Sequence, residues 1–169
     1  VFGNKSFGGL SFNNVSITET DVGSVNSILA TAGLDYVAGN VPSSLPPPFP
    51  NPYQGLSWAG FGADVLTPGS STTITFSFDV HELTAGQGIS ALQQAITPHY
   101  QTGSGLTLTA VESVYADAAH TQLVGQSTID LTHTSATAPT VPGDFQLAAA
   151  FQDLYVTVQV TAAIAGDAP

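Results

Sequence analysis

The chain contains no cysteine, no methionine and no arginine, and a single lysine, Lys5, among 169 residues. Without cysteine there is no disulfide, no thiolate metal site and no thiol nucleophile. With one cation there is no footprint for releasing counterions from phosphates, so nucleic acid and anionic membrane surfaces are poor partners. Twelve acids bring the formal net charge to −11. Charged residues make up only 8% of the chain, against roughly 25% in ordinary soluble domains. The surface must therefore be built from Thr, Ser, Asn, Gln and Gly, a composition that fits an exported protein. No apolar run approaches the roughly 18 residues needed to span a membrane as a helix. The first residue is Val1, which is the expectation for a chain trimmed of a signal peptide. Asn4 and Asn14 each open an Asn-x-Ser pattern for glycan attachment, which two chance matches would also produce.

What is present is alternation. Hydrophobic residues are 43% of the chain, enough for one domain with its own core. In "STTITFSFDVH" (71–81), Ile74, Phe76, Phe78 and Val80 share one face, and Thr73, Thr75, Ser77, Asp79 and His81 the other. In "DLYVTVQVTAAI" (153–164), Val156, Val158, Val160 and Ala162 repeat the pattern. Period two with β-branched and aromatic residues predicts half-buried strands. "GLTLTAVESVY" (105–115) begins alike with Leu106 and Leu108, and its phase slips near Val111, which predicts a bulge there. "FGGLSFNNVSIT" (7–18) reads as two pieces, Leu10/Phe12 and Val15/Ile17, with a bulge at Asn13-Asn14. "TQLVGQSTIDLTH" (121–133) is a strand kinked at Gly125, and "GLSWAGFGADVL" (55–66) a strand softened by glycine. "GISALQQAI" (88–96) fits a helix or a strand. "SVNSILATAG" (24–33) has helical spacing, with Ser24 and Gly33 as caps. "VPSSLPPPFPNPY" (41–53) holds six of the eleven prolines and predicts an exposed loop outside the sheets. The expected fold is a single all-β domain: an antiparallel sandwich, jelly-roll or immunoglobulin-like, with one short helix and a Pro-rich loop. Phe76, Phe78, Leu106, Leu108, Val156 and Val158 are its expected core.

Chemistry-bearing motifs are sparse. His81-Glu82 opens a zinc-peptidase pattern, but the position for the second histidine is Ala85, and on a strand the two side chains point to opposite faces. His81 with Asp79 could still hold a metal; a solvated strand end is the plainer reading. "DAAH" (117–120) predicts a tight turn with Asp117 and His120 at its tip. His133 near Asp130, and His99 beside Tyr100, have no partner that spacing can name. There is no nucleophile elbow, no phosphate loop and no calcium-loop motif. The expectation is no catalytic residue, no cofactor and no specific metal site, with calcium between carboxylates left open. Tyr53, Trp58 and Phe61 cluster after the prolines, where they either stack on sugars or pack beneath the loop.

In order, "GNKSFGGLSFNNVSIT", "PGSSTTITFSFDV", "GSGLTLTAVESVYADAAHTQLVGQSTIDL" and "DLYVTVQVTAAI" resemble exported bacterial proteins that carry a PEP-CTERM sorting tail. The resemblance rests on Gly3, Lys5 and Phe7 at the start, on Phe76 to Val80, on Thr107 to Val114 with Glu112, and on Asp117 to Val124. The cysteine often seen near the start of that family is absent here, as are the Pro-Glu-Pro signal, membrane helix and basic end. The resemblance implies an extracellular or cell-surface location and no catalytic residues. The expected function is thus that of a non-enzymatic structural protein that self-assembles into a filament or matrix. In that assembly Phe7, Leu10, Phe12, Val15 and Ile17 form the apolar face of an N-terminal strand (1–20) exchanged between subunits. The alternative is a carbohydrate-binding sandwich module. A third reading, a hydrolase, would require a cleft with two carboxylates, or a histidine held by an acid.

Overall fold

A computed structural model describes residues 5–7, 9–23, 35–41, 53–59, 66–96, 105–132 and 141–166. They form ten strands: β1 (Lys5–Phe7), β2 (Leu10–Val22), β3 (Asp35–Val41), β4 (Tyr53–Ala59), β5 (Ser71–Glu82), β6 (Ile89–Ile96), β7 (Leu106–Tyr115), β8 (Leu123–Asp130), β9 (Val141–Phe151) and β10 (Asp153–Ile164). The fold is all-β, and every pairing is antiparallel. Six strands make one sheet in the order β1-β2-β5-β10-β7-β8; β3 pairs with β4, and β6 with β9. The segment that fits either a helix or a strand, 88–96, is strand β6. The helix expected over 24–33 lies outside the described residues, among which no helix occurs. The prolines of 42–52 lie there too; they connect β3 to β4, whose ends meet at Val41 and Tyr53.

The two strongest period-two segments, β5 and β10, sit side by side at the centre of the sheet, in unbroken register from His81–Asp153 to Ser71–Ala163. Their even-numbered residues face the core. Leu154 and Val156 are fully buried, and Phe78, Val80 and Val158 nearly so. Phe12 and Val15 of β2 join them, together with Val114 of β7 and Leu147 of β9. Ile89, Leu92 and Phe151 of the β6–β9 pair pack against this cluster. A second cluster, Ala110, Ile129 and Leu131, lies further along β7 and β8, and Val160 touches both. Of the expected core, Phe78, Val156 and Val158 are buried, while Phe76 and Leu108 pack at its margin. Leu106 is half-buried.

The bulge at Asn13-Asn14 is present. The β2–β5 register shifts between Asn13 and Ser16, and Asn14 takes φ 50°, a conformation asparagine tolerates better than most residues. This shift puts both Phe12 and Val15 inward. The bulge expected near Val111 is not there, since β7 pairs with β10 continuously from Leu106 to Tyr115. The phase does not slip, because the inward series is Ala110, Glu112, Val114. A carboxyl occupies an inward position, which makes the hydrophobic pattern look displaced. The real irregularity is one turn of the pleat later, between Val114 and Tyr115, where β8 pairs through Gly125 and then Leu123.

Turn chemistry holds the sheet's far end. Gly23, at φ 82°, closes β2 against Ser70, which is 2% exposed. The Ser70 hydroxyl donates to the Thr67 carbonyl at 2.7 Å and accepts from the Thr67 N–H at 2.9 Å. A Cβ on Gly23 would stand 2.9 Å from the Ser70 Cβ. Gly23→Ala is thus both conformationally strained and crowded, and should cost about 1–2 kcal/mol. A lowered urea midpoint with unchanged slope would show it; an unchanged midpoint would contradict it.

Candidate functional site

The odd-numbered residues of the central strands form the second, polar face of the large sheet. Cross-strand partners run in rows across it: Thr20, Thr73, Thr161 and Thr109, then Ser16, Ser77, Thr157 and Ser113. The Thr73 and Thr161 hydroxyls meet at 2.9 Å. Most of this face is hydroxyl and amide. At the end where β5 and β7 finish, its character changes.

There the row is Asn13, Asp79, Tyr155 and Tyr115, and the next is Ser11, His81 and Asp153. The 117–120 segment folds as the tight turn expected from its sequence. Asp117 accepts the backbone N–H of Gln122 at 2.6 Å, and of Thr121 at 3.0 Å, plus the Thr121 hydroxyl at 2.8 Å. These bonds, the Gln122 N–H first among them, hold its carboxyl below the ordinary aspartate range. The turn closes with the His120 N–H on the Asp117 carbonyl at 3.0 Å, and His120 takes φ 56°. That conformation lays the imidazole flat on Tyr115, with centroids 4.7 Å apart and 6° between planes. Tyr155 stands 6.4 Å from the same imidazole, tilted by 50°. Both geometries lie within the range of favourable aromatic pairs.

Acids surround these rings. Desolvation, and then the charges of Asp153, Asp79 and Asp117, push the Tyr155 hydroxyl above its ordinary range, so the three carboxylates act together at that point. Asp79 accepts from the Asn14 side-chain amide at 2.6 Å. His81 Nδ1 meets Asp153 Oδ1 at 2.5 Å, both open to solvent. An exposed pair of this kind contributes at most about 1 kcal/mol. One oxygen of Asp79, one of Asp153, the far nitrogen of His81 and both tyrosine hydroxyls have no protein partner among the described residues.

Ser11, His81 and Asp153 stand in the order of a hydrolytic triad, and His81 is indeed held by an acid. The Ser11 hydroxyl accepts from the Asn13 amide at 3.2 Å, and among the described residues no hydrogen bond joins it to His81. Ser11 is itself 9% exposed. Among the described residues no group of three His, Asp or Glu could hold a metal ion. Asp79 and His81 therefore share a face, as their spacing indicated, but each has a different partner.

Sequence reading singled out His81, Asp79, His120 and Asp117, but not their convergence on Tyr115 and Tyr155. Trp58 lies in β4 opposite Tyr36, and Tyr53 opposite Val41; their side chains, Phe61, His99 and His133 lie outside what is described. Of the expected assembly residues, Phe12 and Val15 are buried in the chain's own core, Leu10 packs against them, and Ile17 is half-buried. Phe7 pairs with Leu10 in the β1–β2 hairpin. In this structure the N-terminal strands complete their own sheet. No helix among the described residues is long and apolar enough to cross a membrane. No protein-family model matches the chain, and neither does any curated protein or solved structure.

Proposed function

We propose that this chain is an exported, non-catalytic β-sandwich module of a cell surface or extracellular matrix, whose working surface is the Tyr115–His120–Tyr155 patch and whose ligand is a polysaccharide. One observation carries the reading: three aromatic rings stand on the polar sheet face beside Asp79, Asp153 and His81, whose outer polar atoms have no protein partner among the described residues. Sugars present apolar C–H faces and a rim of hydroxyls, and aromatic rings flanked by planar hydrogen-bonding groups match both. The sandwich description is supported by the β6–β9 pair, which packs side chains onto the core face of the large sheet. Export is in keeping with the low share of charged residues, 8% of the chain. A net charge of −11 repels uronate and sulfated polymers, so the favoured ligands are neutral or amino-sugar polymers.

Calorimetric titration with soluble neutral glucans, amino-sugar oligomers and uronate oligomers tests this. Tyr155→Ala and His120→Ala should each weaken binding roughly tenfold or more, equivalent to about 1.4 kcal/mol, with little change in unfolding midpoint. Equal binding by wild type and both variants would place the ligand elsewhere.

Self-association is a second reading, and the sheet's margins favour it. On the side away from β5, β1 covers only residues 10–12 of β2 among the described residues, and β8, which also lies against β9, ends the hydrogen-bonded strand order at the opposite side. Neither margin beyond β1 carries a lysine, the usual guard against edge pairing. Joining unlike margins does not close and would build a filament. Like-charge repulsion opposes it, so calcium or high ionic strength should raise the mass seen by light scattering. A monomer at high concentration with calcium present would rule it out.

A further inference from the structure

Glu112 is the one ionisable side chain buried among the described residues, at 4% exposure, and its Oε2 has no hydrogen-bond partner. It lies on the core face of β7 between Ala110, in one apolar cluster, and Val114, in the other. Its neighbours across the ladders are Val158 of β10 and Ser127 of β8. A carboxylate left unpaired in such a place costs several kcal/mol, so the group keeps its proton instead. On this face of β8, Ser127 stands opposite Glu112, with Gly125 on one side and the buried Ile129 on the other, and β8 ends the hydrogen-bonded strand order of the sheet.

The same hairpin carries Tyr115 and His120 of the proposed patch, whose third ring, Tyr155, is on β10. Tyr115 ends β7 three residues after Glu112, and the turn that seats His120 leads directly into β8. We infer that Glu112 is a pH sensor for the patch: protonated, it lets the β7–β8 hairpin seat on the core and hold the Tyr115–His120 stack; ionised, it loosens that hairpin and the stack with it. Burial raises the Glu112 carboxyl from 4.5 to about 7, which places the change near neutrality. Among the described residues no other charge stands beside it. The inward residues of β8 and β10 beside it are Gly125, Ser127, Ile129, Val156, Val158 and Val160. Of the β6–β9 pair only Asp144 is ionisable, and it lies in β9 opposite Gln93. Glu19 and Asp21 are on β2, three ladders away, and bond Thr72. Only the last step, loss of ligand with the stack, rests on the polysaccharide reading.

Three measurements on the whole chain and on Glu112→Gln test the inference: carboxyl NMR titration, amide exchange of 123–130 corrected for intrinsic rate, and neutral-glucan binding. In the wild type Glu112 should titrate near 7 rather than near 4.5. Exchange in 123–130 should rise roughly tenfold between about pH 6 and about pH 8.5, faster than in β5 and β10, with binding falling in parallel. Glu112→Gln should show neither change. Titration near 4.5, or an exchange rise that persists in Glu112→Gln or is equal in every strand, overturns the sensor. No glucan binding at either pH, with the exchange response intact, overturns the polysaccharide reading and leaves the sensor standing.

Discussion

At about pH 8, Glu112→Gln should be more stable to urea than the wild type by about 3 kcal/mol, while at about pH 4 the two should be nearly alike. The folded chain holds the Glu112 proton up to about pH 7, whereas the unfolded chain releases it near 4.5. Between those values the folded state binds the extra proton, so wild-type stability falls as pH rises through that window and the loss is complete above it. The difference of about 2.5 in pKa, at 1.36 kcal/mol each, gives the magnitude. That is a large share of the roughly 5–15 kcal/mol that holds a domain together. Glutamine keeps the shape and cannot ionise, so it isolates the charge. Glu112→Leu should add apolar burial and exceed the glutamine variant. Wild-type stability that stays flat from about pH 5 to about pH 8 would show that Glu112 already finds a partner or water.

Leu154→Ala should cost about 3 kcal/mol at any pH, within the range for fully buried leucines. Leu154 is 0% exposed, opposite Val80 in the central ladder and in the main apolar cluster. Its neighbours belong to β strands fixed by hydrogen bonds on both sides, so the cavity has little room to collapse. Asp153→Ala, one residue earlier, removes only the exposed partner of His81 and should cost under about 1 kcal/mol. Urea unfolding of the two variants side by side reads the contrast. Similar losses would mean that the sheet's faces are assigned the wrong way round.

The parts legible in the sequence are those where one rule acts alone. From Thr73 to His81 in β5 and from Asp153 to Ala162 in β10 polar and apolar residues alternate, and both strands appear with the predicted faces. Asn13-Asn14 interrupts such a pattern by one residue, and the bulge follows. The slip expected near Val111 is absent because Glu112, a charged residue in an inward position, imitates a phase slip; the continuing series through Val114 is the signal against it. The covering strand β9, "VPGDFQLAAAF", escaped notice because proline, glycine and three alanines mask any period. The patch was half legible. "DAAH" announced the turn, and a turn that short must bring His120 back over the strand end. Nothing in linear spacing, however, places Asp79, Tyr155 and Tyr115 in one row, since that depends on which strands pair.

The most direct test is an NMR titration of the labelled chain with a neutral glucan oligomer at about pH 6, where the hairpin is seated. The account predicts shifts confined to Tyr115, His120, Tyr155, Asp79 and His81, abolished in Tyr155→Ala without loss of the fold. Shifts centred on Trp58 and Tyr53, or none with any neutral or amino-sugar oligomer, would contradict it.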